Sequence, residues 1–142
     1  MYFVPDKKSS NMKKWNLLLW GIKIVAAVIL LQTLYFKFSA HPEAIYIFTK
    51  LDMEPWGRIG IGVMELIASI LILIPRTSWL GAAMGMGLMA GAIFFHLTKL
   101  GIVVYNDDGQ LFAMAVAVFI LSAIVLWINR RELPIVGKLM AA

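Results

Sequence analysis

The chain has 142 residues, a formal net charge of +5 and no cysteine, and 61% of its residues are hydrophobic. A soluble domain carries about 45–50% apolar residues, so a water-soluble fold of this size could not hide so much apolar surface. The missing cysteines exclude disulfides, thiolate catalysis, iron–sulfur ligation and cysteine-based zinc sites, and in so apolar a chain the basic excess records membrane orientation rather than nucleic-acid binding.

A membrane-spanning helix needs about 20 mostly apolar residues. The opening stretch, Met1-Tyr2-Phe3-Val4-Pro5-Asp6-Lys7-Lys8, contains no short apolar run ending in a small-residue cleavage site, so no removable signal peptide is expected. Residues 1–14 read as a basic cytoplasmic segment, residues 15–131 as one four-span membrane domain, and residues 132–142 as a cytoplasmic tail. The first span is predicted from Trp15 to Phe36, and the second from Trp56 to Ile74, where Pro75 stops it. The third runs from Trp79 to about Lys99, and the fourth from Gln110 to Ile128. The predicted fold class is therefore all-α, a transmembrane four-helix bundle.

Lysine and arginine orient it. Lys7, Lys8, Lys13 and Lys14 precede the first span, Arg76 separates the second from the third, and Arg130, Arg131 and Lys138 follow the fourth. An even number of spans puts these groups on one side, which the positive-inside rule makes cytoplasmic. A multi-pass protein of the inner (plasma) membrane with both termini in the cytoplasm is expected. Trp15, Trp56, Trp79 and Trp127 fall near span ends, as interfacial anchors do, and Trp20 does not.

In the first outer loop, His41 to Met53, the residues Ala44, Ile45, Phe48 and Leu51 recur at helical spacing among polar neighbours. This predicts a short amphipathic helix on the outer surface or capping the bundle, with Pro42 in its first turn and Ile45, Phe48 and Leu51 buried against lipid or bundle. The third span is rich in small residues. Gly81 and Gly85, and again Gly87 and Gly91, have the spacing that lets helix backbones approach closely in lipid, so a packing face inside the bundle or a dimer seam is expected.

Charge inside hydrocarbon costs at least about 2.5–3.5 kcal/mol at a helix centre. Lys23 is shallow enough to snorkel to the cytoplasmic headgroups. Glu65 is too deep for that, and must face the bundle interior, protonated or paired. Arg58 lies two turns before it on the same face, His96 and Lys99 share a face near the outer end of the third span, and Gln32 and Lys37 approach the same end. The six residues Gln32, Lys37, Arg58, Glu65, His96 and Lys99 thus converge in the outer half as a candidate polar pocket. The plainer alternative is that Glu65 pairs with one base to fix helix register while the others sit at headgroup level.

No complete catalytic constellation is visible. His41 and His96 differ in depth, against bis-histidine haem, and zinc would need about four ligands, so no metal is expected. A Glu65–His96 pair could move a proton or hydrogen-bond a quinone carbonyl. There is no phosphate-binding glycine loop and no nucleophile elbow.

Three stretches carry a family likeness. Leu31-Gln32-Thr33-Leu34-Tyr35-Phe36-Lys37-Phe38 resembles the end of the first helix of DoxX-like membrane proteins. Gly62-Val63-Met64-Glu65-Leu66-Ile67-Ala68-Ser69 resembles their second helix, and Ala90-Gly91-Ala92-Ile93-Phe94-Phe95-His96-Leu97-Thr98-Lys99 their third. The resemblance covers about Lys14 to Arg131 and implies a four-helix bundle. The family is linked to a quinone-reducing thiosulfate oxidoreductase as its small membrane subunit, and distant relatives to maturation or assembly of other membrane proteins. Lys37, Glu65 and His96 match the family's polar positions, with no catalytic role to carry over.

Three functions compete. The leading expectation is an accessory or binding subunit of an inner-membrane complex, respiratory or redox, with a protein partner or a second copy of the chain beside the lipid bilayer, and no enzyme on its own. The second is a quinone-handling membrane subunit using Glu65 and His96, quinone being the one cofactor the residues suggest. The third is a lipid- or small-molecule-binding protein using the outer polar pocket.

Overall fold

A computed structural model describes residues 7–133, so residues 1–6 of the basic N-terminal segment and most of the predicted tail, with Lys138, lie outside the described residues. The helices are α1 (Lys7–Phe38), α2 (Pro42–Lys50), α3 (Trp56–Leu73), α4 (Ser78–Phe95) and α5 (Gln110–Ile128). A π-helical turn, His96–Leu100, continues α4, and a 3-10 turn, Arg130–Glu132, follows α5. Four segments are long and apolar enough to cross a membrane: Ser10–Phe38, Trp56–Leu73, Ser78–Leu100 and Gln110–Ile128. The chain is a multi-pass membrane protein built as an all-helical, four-span bundle. One boundary is corrected: α1 starts at Lys7 rather than Trp15, so the basic residues Lys13 and Lys14 prolong the first helix instead of preceding it.

The spans pack in a ring, α1 against α3, α3 against α4, α4 against α5, and α5 against α1. The ring's outer surface carries large apolar side chains such as Val28, Val63, Ile70 and Ile120, as a lipid-facing surface requires. Inside, Ala26, Ala27, Ile72, Ala82 and Val125 fill the half near the α3–α4 connection. Leu30, Ala68, Met89, Ala115 and Val118 fill the middle. The opposite end is covered by α2, which touches α1, α3 and the π turn. There Leu51, Leu100 and Val104 form a third small cluster, joined by Ile47, Met53 and Phe95. The short loop helix therefore caps the bundle with Ala44, Phe48 and Leu51 buried. Ile45, expected on the buried side, is 37% exposed, because Ile47 takes the inward position beside Phe48.

The α3–α4 connection shows how the sequence seals a helix end at membrane depth. Pro75 ends α3 and leaves its last carbonyls without helical donors. The Ser78 hydroxyl, fully buried, lies 2.8 Å from Ile72 O and 3.0 Å from Ile74 O, and the Thr77 hydroxyl donates to Leu71 O at 3.0 Å. A turn later Gly81 lies against α3. A Cβ there would stand 2.7 Å from Leu71 C and 2.8 Å from Ala68 O, both backbone atoms. Gly85 faces α5, with Ser122 Oγ 3.0 Å from where its Cβ would be.

Candidate functional site

Above that sealed seam the helices part around a cavity of about 450 Å³. Its walls are mostly apolar, from Ile29 and Leu30 of α1 to Met114 and Val118 of α5, and α2 supplies the roof through Ile47, Phe48 and Leu51. The polar groups reaching it include Thr33, Lys37, Glu65 and His96. This size lies within the range of about 300–1,000 Å³ common for small-molecule sites, and a mainly apolar wall with a few convergent polar groups is their usual chemistry.

Glu65, 3% exposed, forms a salt bridge with Lys37 at 2.8 Å. Lys37 Nζ also donates to Thr33 Oγ1 at 3.1 Å. The single Thr33 hydroxyl proton has two acceptors, Leu30 O at 2.9 Å and Glu65 Oε2 at 3.1 Å. Helical spacing makes the triad: Thr33 and Lys37 are one turn apart on α1 and meet Glu65 from the neighbouring α3. Every bond to the carboxylate falls on Oε2. Glu65 Oε1 has no hydrogen-bond partner among the described residues, and one of the three Lys37 N–H groups is likewise unassigned. The cavity wall thus holds one free acceptor beside one free donor.

The remaining expected pocket residues separate into different places. Arg58 stays out of the cavity. Its Nε donates to both oxygens of Glu54 at 2.9 and 3.0 Å, and its Nη1 donates to the backbone carbonyl of Lys37. It is a clamp that satisfies a last-turn carbonyl of α1 with a cation at the negative end of the helix. Gln32 turns toward α5 and donates to Met114 Sδ at 2.8 Å. His96 lines the cavity and is 6% exposed. Its Nδ1 lies 2.7 Å from Gly101 O, and a carbonyl only accepts, so Nδ1 carries the proton and Nε2 is the acceptor in neutral imidazole. Gly101 also donates its N–H to His96 O at 2.8 Å, in a backbone conformation (φ 86°) that glycine adopts without strain. Lys99, on the same π turn, is exposed and outside the cavity.

Of the expected packing face, Gly81 and Gly85 pack inside the bundle, whereas Gly87 and Gly91 have no atom of the described residues within 4 Å of a Cβ position and line the cavity. Lys23 is 5% exposed, with its Nζ 5.6 Å from the Trp20 ring centroid and Glu132 of the 3-10 turn near enough to act on its charge. The sequence reading missed Thr33, whose signal was its place one turn before Lys37, and it missed the loop residue Asp107. Asp107 Oδ1 accepts from Val104 N at 2.8 Å and Gly109 N at 3.0 Å, and its Oδ2 from Leu111 N at 2.9 Å. Burial alone would raise its pKa, but these three N–H groups, with nearby His96, hold it below the usual carboxylate range.

A second cavity of about 270 Å³ lies between α1, α2 and α5 at the same end. Gln32, Glu43, Asp107 and Gln110 make it more polar, and it shares Thr33, Lys37, Ile47, Phe48, Leu111 and Met114 with the first. The model of the DoxX-like family matches residues 21–126, which includes the four polar cavity residues Thr33, Lys37, Glu65 and His96. No curated protein and no solved structure matches the chain.

Proposed function

We propose, from the premise that the chain belongs to the DoxX-like family, that it is a membrane-embedded binding protein for a small amphiphile with an uncharged, hydrogen-bonding head. The observation that carries this is the apolar cavity of about 450 Å³ with the Lys37–Glu65 salt bridge in its wall. The two charges already compensate each other, so an ionic head would bring an uncompensated charge into a low-dielectric site. An alcohol or similar head instead donates to Glu65 Oε1 and accepts from Lys37 Nζ while its tail fills the apolar chamber. A quinol belongs to this class, with His96 Nε2 a further acceptor in the same wall. The small-residue face of α4 is one of the features that fit an accessory subunit, beside the small size of the chain, and half of that face, Gly87 and Gly91, fronts the cavity. That favours a ligand over a protein partner.

In this reading the α2 end faces outward at the inner membrane and both termini lie in the cytoplasm, because the basic residues Lys13, Lys14, Arg76, Arg130 and Arg131 gather at the opposite end. Single cysteines replacing Lys14, Arg76 and Arg131 then resist an impermeant thiol reagent on intact cells, and labelling of all three reverses the orientation. The binding reading is tested by native mass spectrometry in phosphatidylcholine nanodiscs with oleyl alcohol, oleate and oleylamine, which share one chain length and differ in head charge. Retention of the alcohol above both ions is expected, and its loss in the Lys37→Met/Glu65→Leu double variant. Equal retention of the three, or none, overturns the proposal.

A further inference from the structure

The cavity has walls on α1, α3, α4 and α5 and a roof on α2, so the place where it opens determines the phase from which a ligand arrives. Most of the residues lining it are buried or half-buried. Two of them are exposed, Met64 on α3 and Gly87 on α4, and the antiparallel register set where Gly81 meets Leu71 and Ile72 puts Gly87 level with Glu65. Met64 is 44% exposed. Beside them Ile61 and Gly91 line the cavity too, and neither Gly87 nor Gly91 has a neighbour within 4 Å of a Cβ position. Below, at Gly81, the seam is shut by backbone against backbone. Above, α2 and the π turn cover it through Phe48, Leu51 and Leu100. The gap therefore lies within the span, where the surrounding phase is hydrocarbon.

An independent observation marks what lies behind the gap. Glu65, 3% exposed, lines the chamber and is held by Lys37 and Thr33 through Oε2, with no hydrogen bond to Oε1 among the described residues. The second cavity shares Thr33, Lys37, Ile47, Phe48, Leu111 and Met114 with the first, so the more polar surroundings of Gln32, Glu43 and Asp107 begin beyond Lys37. Polarity thus rises in one direction, from the Met64–Gly87 gap through the apolar chamber to Lys37–Glu65 and on to Glu43 and Asp107.

We infer that the α3–α4 seam at Gly87 and Gly91 is a lateral portal, through which the neutral amphiphile passes head first from the leaflet on the α2 side. This rests on the binding reading above for the identity of the occupant, but not for the opening itself. The head travels up the polarity gradient to Glu65 Oε1, and the rest of the tail stays in the gap among lipid chains. The two glycines leave the passage wide, since neither has a neighbour within 4 Å of a Cβ position.

The chain has no cysteine of its own, so single sites can be labelled cleanly. A nitroxide is attached at Gly87→Cys, with Gly91→Cys as a second site, Ile70→Cys as the lipid reference and Lys50→Cys as the water reference. In phosphatidylcholine nanodiscs, collisions with oxygen report lipid exposure and collisions with a water-soluble nickel chelate report aqueous exposure. At Gly87 and Gly91 oxygen is expected to collide as at Ile70, and nickel far less than at Lys50. Added oleyl alcohol should at least halve the oxygen signal at Gly87 and leave Ile70 unchanged. A label shielded from both reagents, or reached mainly by nickel, overturns the portal. So does an alcohol that binds by native mass spectrometry without changing the Gly87 signal. If the alcohol does not bind at all, the ligand reading fails, and the oxygen and nickel collisions still decide the opening.

Discussion

At the Pro75 end, α4 approaches α3 until Gly81 rests on its backbone, while at the α2 end the same two helices stand apart around Gly87 and Gly91. Both glycine pairs have identical spacing. The first is used for contact and the second for clearance. The contrast extends to polar groups: near Pro75 the hydroxyls of Thr77 and Ser78 seal carbonyls within the protein, whereas near α2 Glu65 keeps an oxygen free. One end of the bundle closes helix on helix, with Ser122 Oγ and Asn129 Nδ2 as its buried polar atoms without a partner among the described residues, and the other leaves a carboxylate oxygen beside open volume.

Substitutions can break that contrast. The largest effect is expected for Lys37→Met, which strips Glu65 of its partner. Breaking a buried pair destabilises by about 3–5 kcal/mol, and adding Glu65→Leu should restore much of it. Unfolding in mixed detergent–dodecyl sulfate micelles measures both, and a single variant as stable as the parent would mean that the pair carries no weight. Gly81→Ala comes next, since its methyl meets backbone that cannot yield without parting the helices, and overpacking costs about 1–3 kcal/mol. The same assay reads it.

Asp107→Asn is smaller, about 1 kcal/mol, because the amide keeps an acceptor for Val104 and Gly109 but turns a donor toward Leu111 N. The parent's loop adds a pH signature. The folded pKa of Asp107 is depressed, so its contribution is present above the unfolded value and lost as pH falls through the lower folded value. An acid titration of loop stability should show this loss below pH of about 3.9, and the asparagine variant should lack it. Smallest is Gly87→Ala, expected to be neutral or to stabilise by about 0.5–1 kcal/mol through helix propensity, since its methyl meets nothing. A loss matching that of Gly81→Ala would show that the two ends of the seam do not differ.

The four spans were legible because hydrocarbon demands a long apolar run wherever a helix crosses it, and α2 was legible from the spacing of Ala44, Phe48 and Leu51. The depth of Glu65 could be counted along its helix. Which base meets it could not, because Lys37, Arg58 and His96 compete at similar distances along the axis and only the rotation of α1 against α3 decides among them. Arg58 shares a face with Glu65 but is drawn off to Glu54 and the end of α1. Gly81 and Gly85 pack as their spacing suggests, but spacing fixes a face without saying what that face looks at, so Gly87 and Gly91 could not be told apart from them. The π turn at His96 depends on a five-residue closure with Gly101 and leaves no mark in the hydrophobic pattern.

The spans differ greatly in reach. At about 1.5 Å per residue, the 32 residues of α1 extend about 48 Å, while the 18 residues of α3 extend about 27 Å. Hydrocarbon is about 30 Å thick, so α1 overshoots it and α3 falls short. A shorter helix makes the lipids around it thin or tilt to match. That adjustment falls on α3 and on α5, which has 19 residues, and α3 is the helix that carries Ile61 and Met64 on one rim of the cavity opening. Acyl-chain length in the host membrane therefore acts as a mechanical load on this side of the protein, and thick bilayers squeeze the flank that thin ones leave relaxed.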